Sequence, residues 1–242
     1  MERFQLQPAY ILHQRPWRDS SGLIEAFSRP FGRIGLIARG ARRSNSKLKA
    51  ALQPFQPVLL SWTGRGDLAT LTGAEATATP VRLTGSRLLC GFYVNELLIR
   101  LLHRHDPHPE LFDDYARCLN SLGGGADEQA VLRLFEKRLL IGCGYGLNLA
   151  IDIDSGEPVH AERQYQYVLE QGPRESVDES EGLIVPGTSL LALEEDRLDD
   201  EQSLRDAKRL LRAAVDLYLG GKPLKTRQVS YSMQKNRTRD NG

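Results

Sequence analysis

The chain has 242 residues, 40% of them hydrophobic and 26% charged, and its formal net charge is only +1. That composition is ordinary for a globular protein with room for one large core or two or three small ones, and the total charge by itself names no partner. No stretch approaches the ~20 apolar residues of a transmembrane helix and the N-terminus has no signal-type apolar run, so a membrane span is excluded and a cytoplasmic location is expected.

The first eighty residues read as strands and turns. "QPAYILHQRPW" is rich in β-formers and stopped by Pro16; "GLIEAFSR" runs into the Pro/Gly turn "PFGR". "RIGLIARG" alternates Ile34, Leu36 and Ala38 inward against Arg33, Gly35, Ile37 and Arg39 outward. "PVLLSWTG" and "GDLATLTGAEA" follow, joined by the hairpin signal Gly64-Arg65-Gly66. Five short strands in so few residues suit a small closed barrel that leaves no edge unpaired. Between strands three and four lies "ARRSNSKLKAALQPF", too long for a hairpin turn and too basic for a core, hence a surface excursion. Trp62 is read as core in preference to a base-stacking residue.

Helical spacing begins after Pro80. "SRLLCGFYVNELLIRLLHRH" has an unusually wide apolar face; "HPELFDDYARCLNSL" closes at Gly123-Gly124-Gly125; "DEQAVLRLFEKRLLIGCGYG" has Asp127 as its expected N-cap and ends at glycines. Residues 147–202 are weakly periodic, rich in acids and turn residues, and read as an irregular insert with one hairpin around residues 165–169. "SLRDAKRLLRAAVDLYLG" is a last helix, capped by Ser203 and stopped by glycines and Pro223. The end, residues 222–242, reads as a basic flexible tail. The expected organisation is α+β: a barrel over residues 1–80, a helical bundle from residues 81–146 and 203–221, the insert, and the tail.

Charge is unevenly spread. Residues 26–66 contain no Asp or Glu, yet carry Arg29, Arg33, Arg39, Arg42, Arg43, Lys47, Lys49 and Arg65, whereas residues 152–201 are acid-rich. Phosphates repel one another and carboxylates cancel a positive field, so removing acids while adding cations is what a polyanion site requires. Arg33, Arg39, Arg42, Arg43, Lys47, Lys49 and Arg65 are therefore the candidate DNA-binding residues. Lys208, Arg209 and Arg212 on the last helix join them if a strand wraps that far; otherwise they are a hydrated helix face.

Other constellations carry less. Cys90, Cys118 and Cys143 form no CxxC pair, which leaves no zinc ribbon or disulfide framework and reads as buried free thiols. His103, His105 and His108 sit at a helix end, where they suit the C-terminal dipole better than a metal. "GCGYG" imitates a dinucleotide loop but ends a helix instead of opening one, so it is a C-cap. Asp152, Asp154 and Glu157 form the one acidic group on which a metal-dependent nuclease or phosphotransferase reading rests, and no Lys or His base accompanies them.

Together, "GRIGLIARGARRSNSKLKAALQPF", "YVNELL" and "FEKRLLIGCGYGLNL", in this order and spacing, resemble the RecO recombination-mediator family of bacterial DNA repair. The resemblance covers residues 9–219 or so. It implies an N-terminal OB barrel, a helical domain, and a non-enzymatic protein that binds single- and double-stranded DNA and anneals complementary strands. It further implies work with RecR, and in many bacteria RecF, to place RecA on DNA coated by single-strand-binding protein. In some members the helical domain holds that coating protein's acidic C-terminal tail; Arg133, Phe135, Lys137 and Arg138 are the candidates for this, since such a tail needs an apolar pocket with a cation at its mouth. Many members also carry a zinc module. Here Asp152 and Ser155 stand where its cysteines would, so a member of the zinc-less branch, without metal or other cofactor, is expected. An RNA-binding OB module is the remaining alternative.

Overall fold

The structure is a computed structural model that describes residues 2–43, 46, 48–176 and 182–240. Five strands come first: β1 (Arg3–Trp17), β2 (Ser21–Ser28), β3 (Gly32–Ala38), β4 (Pro57–Thr63) and β5 (Ala69–Ala76), with a short helix α1 (Leu48–Ala51) between β3 and β4. Helices α2 (Gly85–Leu101), α3 (Pro109–Gly123) and α4 (Glu128–Gly142) precede three short strands, β6 (Gln164–Val168), β7 (Gly172–Glu175) and β8 (Ile184–Pro186). Helices α5 (Gly187–Glu194), α6 (Glu201–Tyr218) and α7 (Lys225–Asp240) complete the chain.

The first five strands close in the order β1-β2-β3-β5-β4. Every pairing is antiparallel except β3 with β5, where Leu36 faces Ala69 and Ile37 faces Thr70. A five-stranded closed barrel with this order and a helix after the third strand is the OB topology. Its interior comes from strict alternation: Ile24 and Ala26 on β2, Ile34, Leu36 and Ala38 on β3, Val58, Leu60 and Trp62 on β4. Trp62 is 3% exposed and stacks on Phe4 with ring centroids 4.9 Å apart, so it belongs to the core, as its sequence context suggested.

The chain forms two compact units, Met1–Gly125 with Leu224–Gly242, and Ala126–Pro223. The expected single bundle is therefore divided. In the first unit α3 lays Phe112 and Tyr115 on Tyr10 and Phe27, which stand on the outer side of β1 and β2. These aromatic faces, hidden from a reading of one helix at a time, hold α3 to the barrel. Asn95 of α2, 2% exposed, donates to the Leu12 carbonyl at 2.9 Å and accepts from the Tyr115 hydroxyl at 2.7 Å, so the buried amide is satisfied from two sides. Gly91 permits the close approach: a Cβ there would sit 2.7 Å from Leu83 Cδ1 and 2.8 Å from the Phe55 ring.

Residues Lys225–Asp240 of the expected flexible tail form a helix. The Glu96 carboxylate accepts from the N–H groups of Lys225 (2.8 Å) and Thr226 (2.9 Å) and from the Thr226 hydroxyl (2.7 Å), supplying from α2 the cap that α7 lacks in its own sequence. Leu224, 1% exposed, anchors the same junction, and the Arg227 guanidinium lies 5.6 Å over the Tyr93 ring.

In the second unit α4, α5 and α6 pack with a three-stranded sheet of order β7-β6-β8. The described part of the insert thus forms a sheet and a helix where weak periodicity had suggested irregularity; its strands are too short to show a period. The expected hairpin near residues 165–169 is present as β6 and β7. Asp127 caps α4 by accepting from the Ala130 N–H at 2.8 Å. Asp200, not Ser203, caps α6, accepting from the Ser203 N–H at 2.9 Å; the helix starts early enough that Ser203 is buried inside its first turn.

Candidate nucleic-acid interface

The acid-free segment folds into the second and third strands, the loop after β3, α1 and the β4–β5 turn, and its cations meet different fates. Arg29 makes a two-point contact with Asp113 of α3, at 3.1 and 2.9 Å. Arg33 is largely covered: its Nε donates to the Leu102 carbonyl at 3.1 Å and its Nη1 to Glu25 at 3.3 Å, and Arg104 neutralises the other oxygen of the same carboxylate. Arg65 pairs with Glu2. A covered carboxylate cancels the charge of Arg33 within the fold, whereas Arg65 stays exposed beside the exposed Glu2 and its pair is a surface one.

Arg39, Arg42, Arg43 and Lys49 are exposed, and none makes an ion pair with a described residue. Lys47 lies outside the described residues. Arg42 is positioned without being neutralised: its Nη1 donates to the carbonyls of Arg18 (3.3 Å) and Asp19 (3.4 Å), while its own N–H bonds the Ser20 carbonyl at 3.0 Å. These bonds join the loop after β3 to the β1–β2 turn. They bring in two exposed cations the sequence reading had missed, Arg15 and Arg18, which lie before that turn's acid, Asp19, and outside the acid-free window. The signal that would have found them is the register of a closed barrel, which sets β1 beside β2 and β2 beside β3.

In the second unit, Arg209 pairs with the buried Asp206 at 3.2 Å and Arg212 lies 3.8 Å from Asp216, while Lys208 is exposed. Two of the three candidate cations on this helix thus face a carboxylate one turn away on the same helix.

The chemistry and geometry agree with what the chain is similar to. Residues 1–80 match the family description Recombination protein O N terminal, and residues 82–228 match Recombination protein O C terminal. The chain belongs to the RecO family. It is 50% identical over 226 residues to the DNA repair protein RecO of Nitrosococcus oceani, spanning 93% of this chain and 92% of that one. Against the proteins of the same name from Methylococcus capsulatus and Alkalilimnicola ehrlichii it is 48% and 51% identical, over 94% of this chain and 93% and 91% of theirs. The barrel, residues 1–80 of the match, is the RecO N-terminal OB domain, and a role in DNA repair and recombination follows from membership.

The position at which many RecO members hold zinc has different chemistry here. Asp152, 4% exposed, accepts through Oδ1 from the N–H groups of Asp154 (2.8 Å) and Ser155 (2.9 Å), and through Oδ2 from that of Glu175 (2.7 Å). One carboxylate organises the turn and ties it to β7, with both oxygens spent on backbone donors and no thiolate beside it. These residues do not fit a zinc ion. Among the described residues no three His, Cys, Asp or Glu side chains cluster as metal ligands. His105 contacts the Gly66 carbonyl at 3.0 Å and His108 the Asp106 carboxylate at 3.2 Å.

On α4 the four tail candidates separate. Arg133 and Phe135 are buried, at 5% and 2% exposure, and Arg133 is paired at 2.6 Å with Glu136. Lys137 Nζ closes the end of α5, donating to the carbonyls of Leu193 (2.8 Å) and Glu194 (2.7 Å) and to Asp196 at 3.0 Å. Arg138 shares Asp196 at 2.8 Å but keeps part of its surface, and Ile141, one turn on, is 53% exposed.

Proposed function

We propose that this RecO-family chain is a non-enzymatic, strand-annealing mediator of recombinational repair. It binds single- and double-stranded DNA, and with RecR helps RecA onto DNA coated by single-strand-binding protein, in the cytoplasm at the nucleoid. The observation that carries the reading is the cationic junction of the β1–β2 turn and the loop after β3. There Arg39, Arg42, Arg43 and Lys49 stand exposed without described carboxylate partners, beside an OB barrel. Annealing needs no catalytic group: two strands are neutralised side by side and their bases meet. The coating protein's acidic tail is assigned to the partly exposed stripe of α4 formed by Leu134, Arg138 and Ile141, because Arg133 and Phe135 are buried.

The nuclease reading has little support. Asp152 is committed to backbone donors and the exposed Asp154 pairs with Arg174 at 2.6 Å, so two of the three carboxylates are engaged, and among the described residues no three His, Cys, Asp or Glu side chains cluster to hold Mg²⁺. Titration of fluorescent single-stranded DNA at several salt concentrations tests the proposal. If about five phosphates are neutralised, log affinity falls with log salt at a slope of roughly −3 to −4. Binding and annealing that survive charge reversal at Arg39, Arg43 and Lys49 together would overturn it. Competition between matched single-stranded DNA and RNA separates a DNA protein from an RNA module.

A further inference from the structure

The chain has two tryptophans, and they are placed oppositely. Trp62 is enclosed, stacked on Phe4 and edge-on to Phe31 at 5.4 Å. Trp17 ends β1, half-buried, and makes no ring contact with a described residue. An indole partly open to water at the end of a strand, outside the aromatic cluster of the core, can offer part of its ring to a ligand.

Its neighbours are set by register. Arg15 and Trp17 share one face of β1, paired with Leu23 and Ser21 of β2; Leu23 in turn faces Ile37 of β3, and Gly22 faces Ala38, the residue before Arg39. That face lies outside the barrel, since Ile24, Leu36 and Ala38 point in. Its other end is closed: Tyr10 and Phe27 are covered by α3, and Glu25 is held by Arg33 and Arg104. The open end is a buried Leu23 and half-buried Ile37 as floor, Trp17 beside it, and exposed Arg15 and Arg39 at either side, about 10 Å apart across two strand spacings. Asp19 in the turn is an exposed acid near it.

We propose that Trp17 is a base-stacking platform for single-stranded nucleic acid, its ring taking one base while Arg15 and Arg39 take the phosphates on either side. The cations alone would bind any polyanion; the indole distinguishes a strand with exposed bases from a duplex, whose bases are stacked on each other. This deepens the nucleic-acid reading of the same site and rests on it.

The test uses the full chain and three probes of equal length: oligo-dT, an abasic phosphodiester oligomer, and a duplex. In a Trp62→Phe background Trp17 is the sole indole reporter. Oligo-dT is expected to quench its emission and shield it from acrylamide, while the abasic oligomer binds with little quenching. Trp17→Ala is expected to lower affinity for oligo-dT by about 5- to 100-fold and to leave the abasic oligomer within about two-fold, with the salt slope unchanged; Trp17→Phe retains most of the oligo-dT affinity. Equal losses for oligo-dT and the abasic oligomer, or oligo-dT binding without quenching, would overturn the assignment. The quenching arm and Trp17→Phe decide the matter even if Trp17→Ala fails to fold. If charge reversal at Arg39, Arg43 and Lys49 abolishes binding of all three probes while Trp17→Ala changes nothing, stacking alone fails. If the reversal leaves all three bound, the underlying nucleic-acid reading fails.

Discussion

The guanidinium of Arg42 donates to the backbone carbonyl of Arg18 at 3.3 Å. One arginine thus fixes the turn that carries another, and does so through a neutral acceptor that leaves both charges intact. Two loops distant in sequence become one positive surface, and the cost of bringing like charges together is met by hydrogen bonds instead of by counter-charges that would cancel the field.

Removing Arg42 therefore has two effects. Arg42→Ala is expected to lower affinity for single-stranded DNA, to reduce the magnitude of the salt slope by about one, and to speed hydrogen exchange in residues 18–20 of the β1–β2 turn. Arg43→Ala should reproduce the salt effect alone, because Arg43 holds no other loop. Parallel binding and exchange measurements distinguish them.

Arg33 behaves oppositely. Arg33→Ala withdraws one of the two cations from the partly buried Glu25 and a donor from the Leu102 carbonyl, at an expected cost of about 1–3 kcal/mol in stability. Chemical denaturation should show that loss while the salt slope of DNA binding stays at its wild-type value. An unchanged stability with a shallower slope would return Arg33 to the interface.

Asp152 makes the second unit acid-sensitive. Burial pushes its carboxyl up, but hydrogen bonds from the Ser155, Asp154 and Glu175 N–H groups outweigh this and hold it below the usual aspartate value. A group depressed on folding contributes stability that is complete above its unfolded value, ~3.9, and is lost as pH falls through the lower folded value. Asp152→Asn cannot supply three charged acceptor contacts. It is expected to cost about 1.5–3 kcal/mol at neutral pH, to flatten the acid limb of the stability curve, and to deprotect the amides of Asp154, Ser155 and Glu175 in hydrogen exchange. Addition of zinc should not rescue it.

Glu96 holds the C-terminal helix. Glu96→Ala takes the acceptor from the start of α7 and is expected to open the chain after Pro223 to limited proteolysis, with little change in the melting of the barrel. Protection equal to that of the wild type would show that Leu224 and Arg227 suffice.

Asp196 governs the tail assignment. Asp196→Ala removes one carboxylate partner from Arg138 and one acceptor from Lys137, and should raise affinity for an acidic-hydrophobic C-terminal peptide several-fold; Ile141→Asp should lower it. Fluorescence anisotropy of a labelled peptide reads both, and a peptide indifferent to both substitutions binds elsewhere.

Much of the first unit was written locally. Alternation of Ile34, Leu36 and Ala38 against Arg33 and Ile37 is a property of neighbours in sequence, and so is the absence of carboxylates from residues 26–66, so strands, barrel and a basic excursion could be derived from the chain alone. Asp127 as a cap and the glycine ends of α3 and α4 were legible for the same reason. What remained hidden depended on distant partners. Arg29 and Arg39 look alike in sequence, yet Asp113, 84 residues away, spends the charge of the first and nothing described spends that of the second. Two tryptophans look alike until the barrel closes over Trp62 and leaves Trp17 at its rim. Helix α7 has no cap of its own and reads as coil until Glu96 supplies one. Side-chain type and short-range periodicity are fixed by the polymer, but the net charge and exposure a group presents are sums over everything folded against it, and only tertiary contact decides that sum.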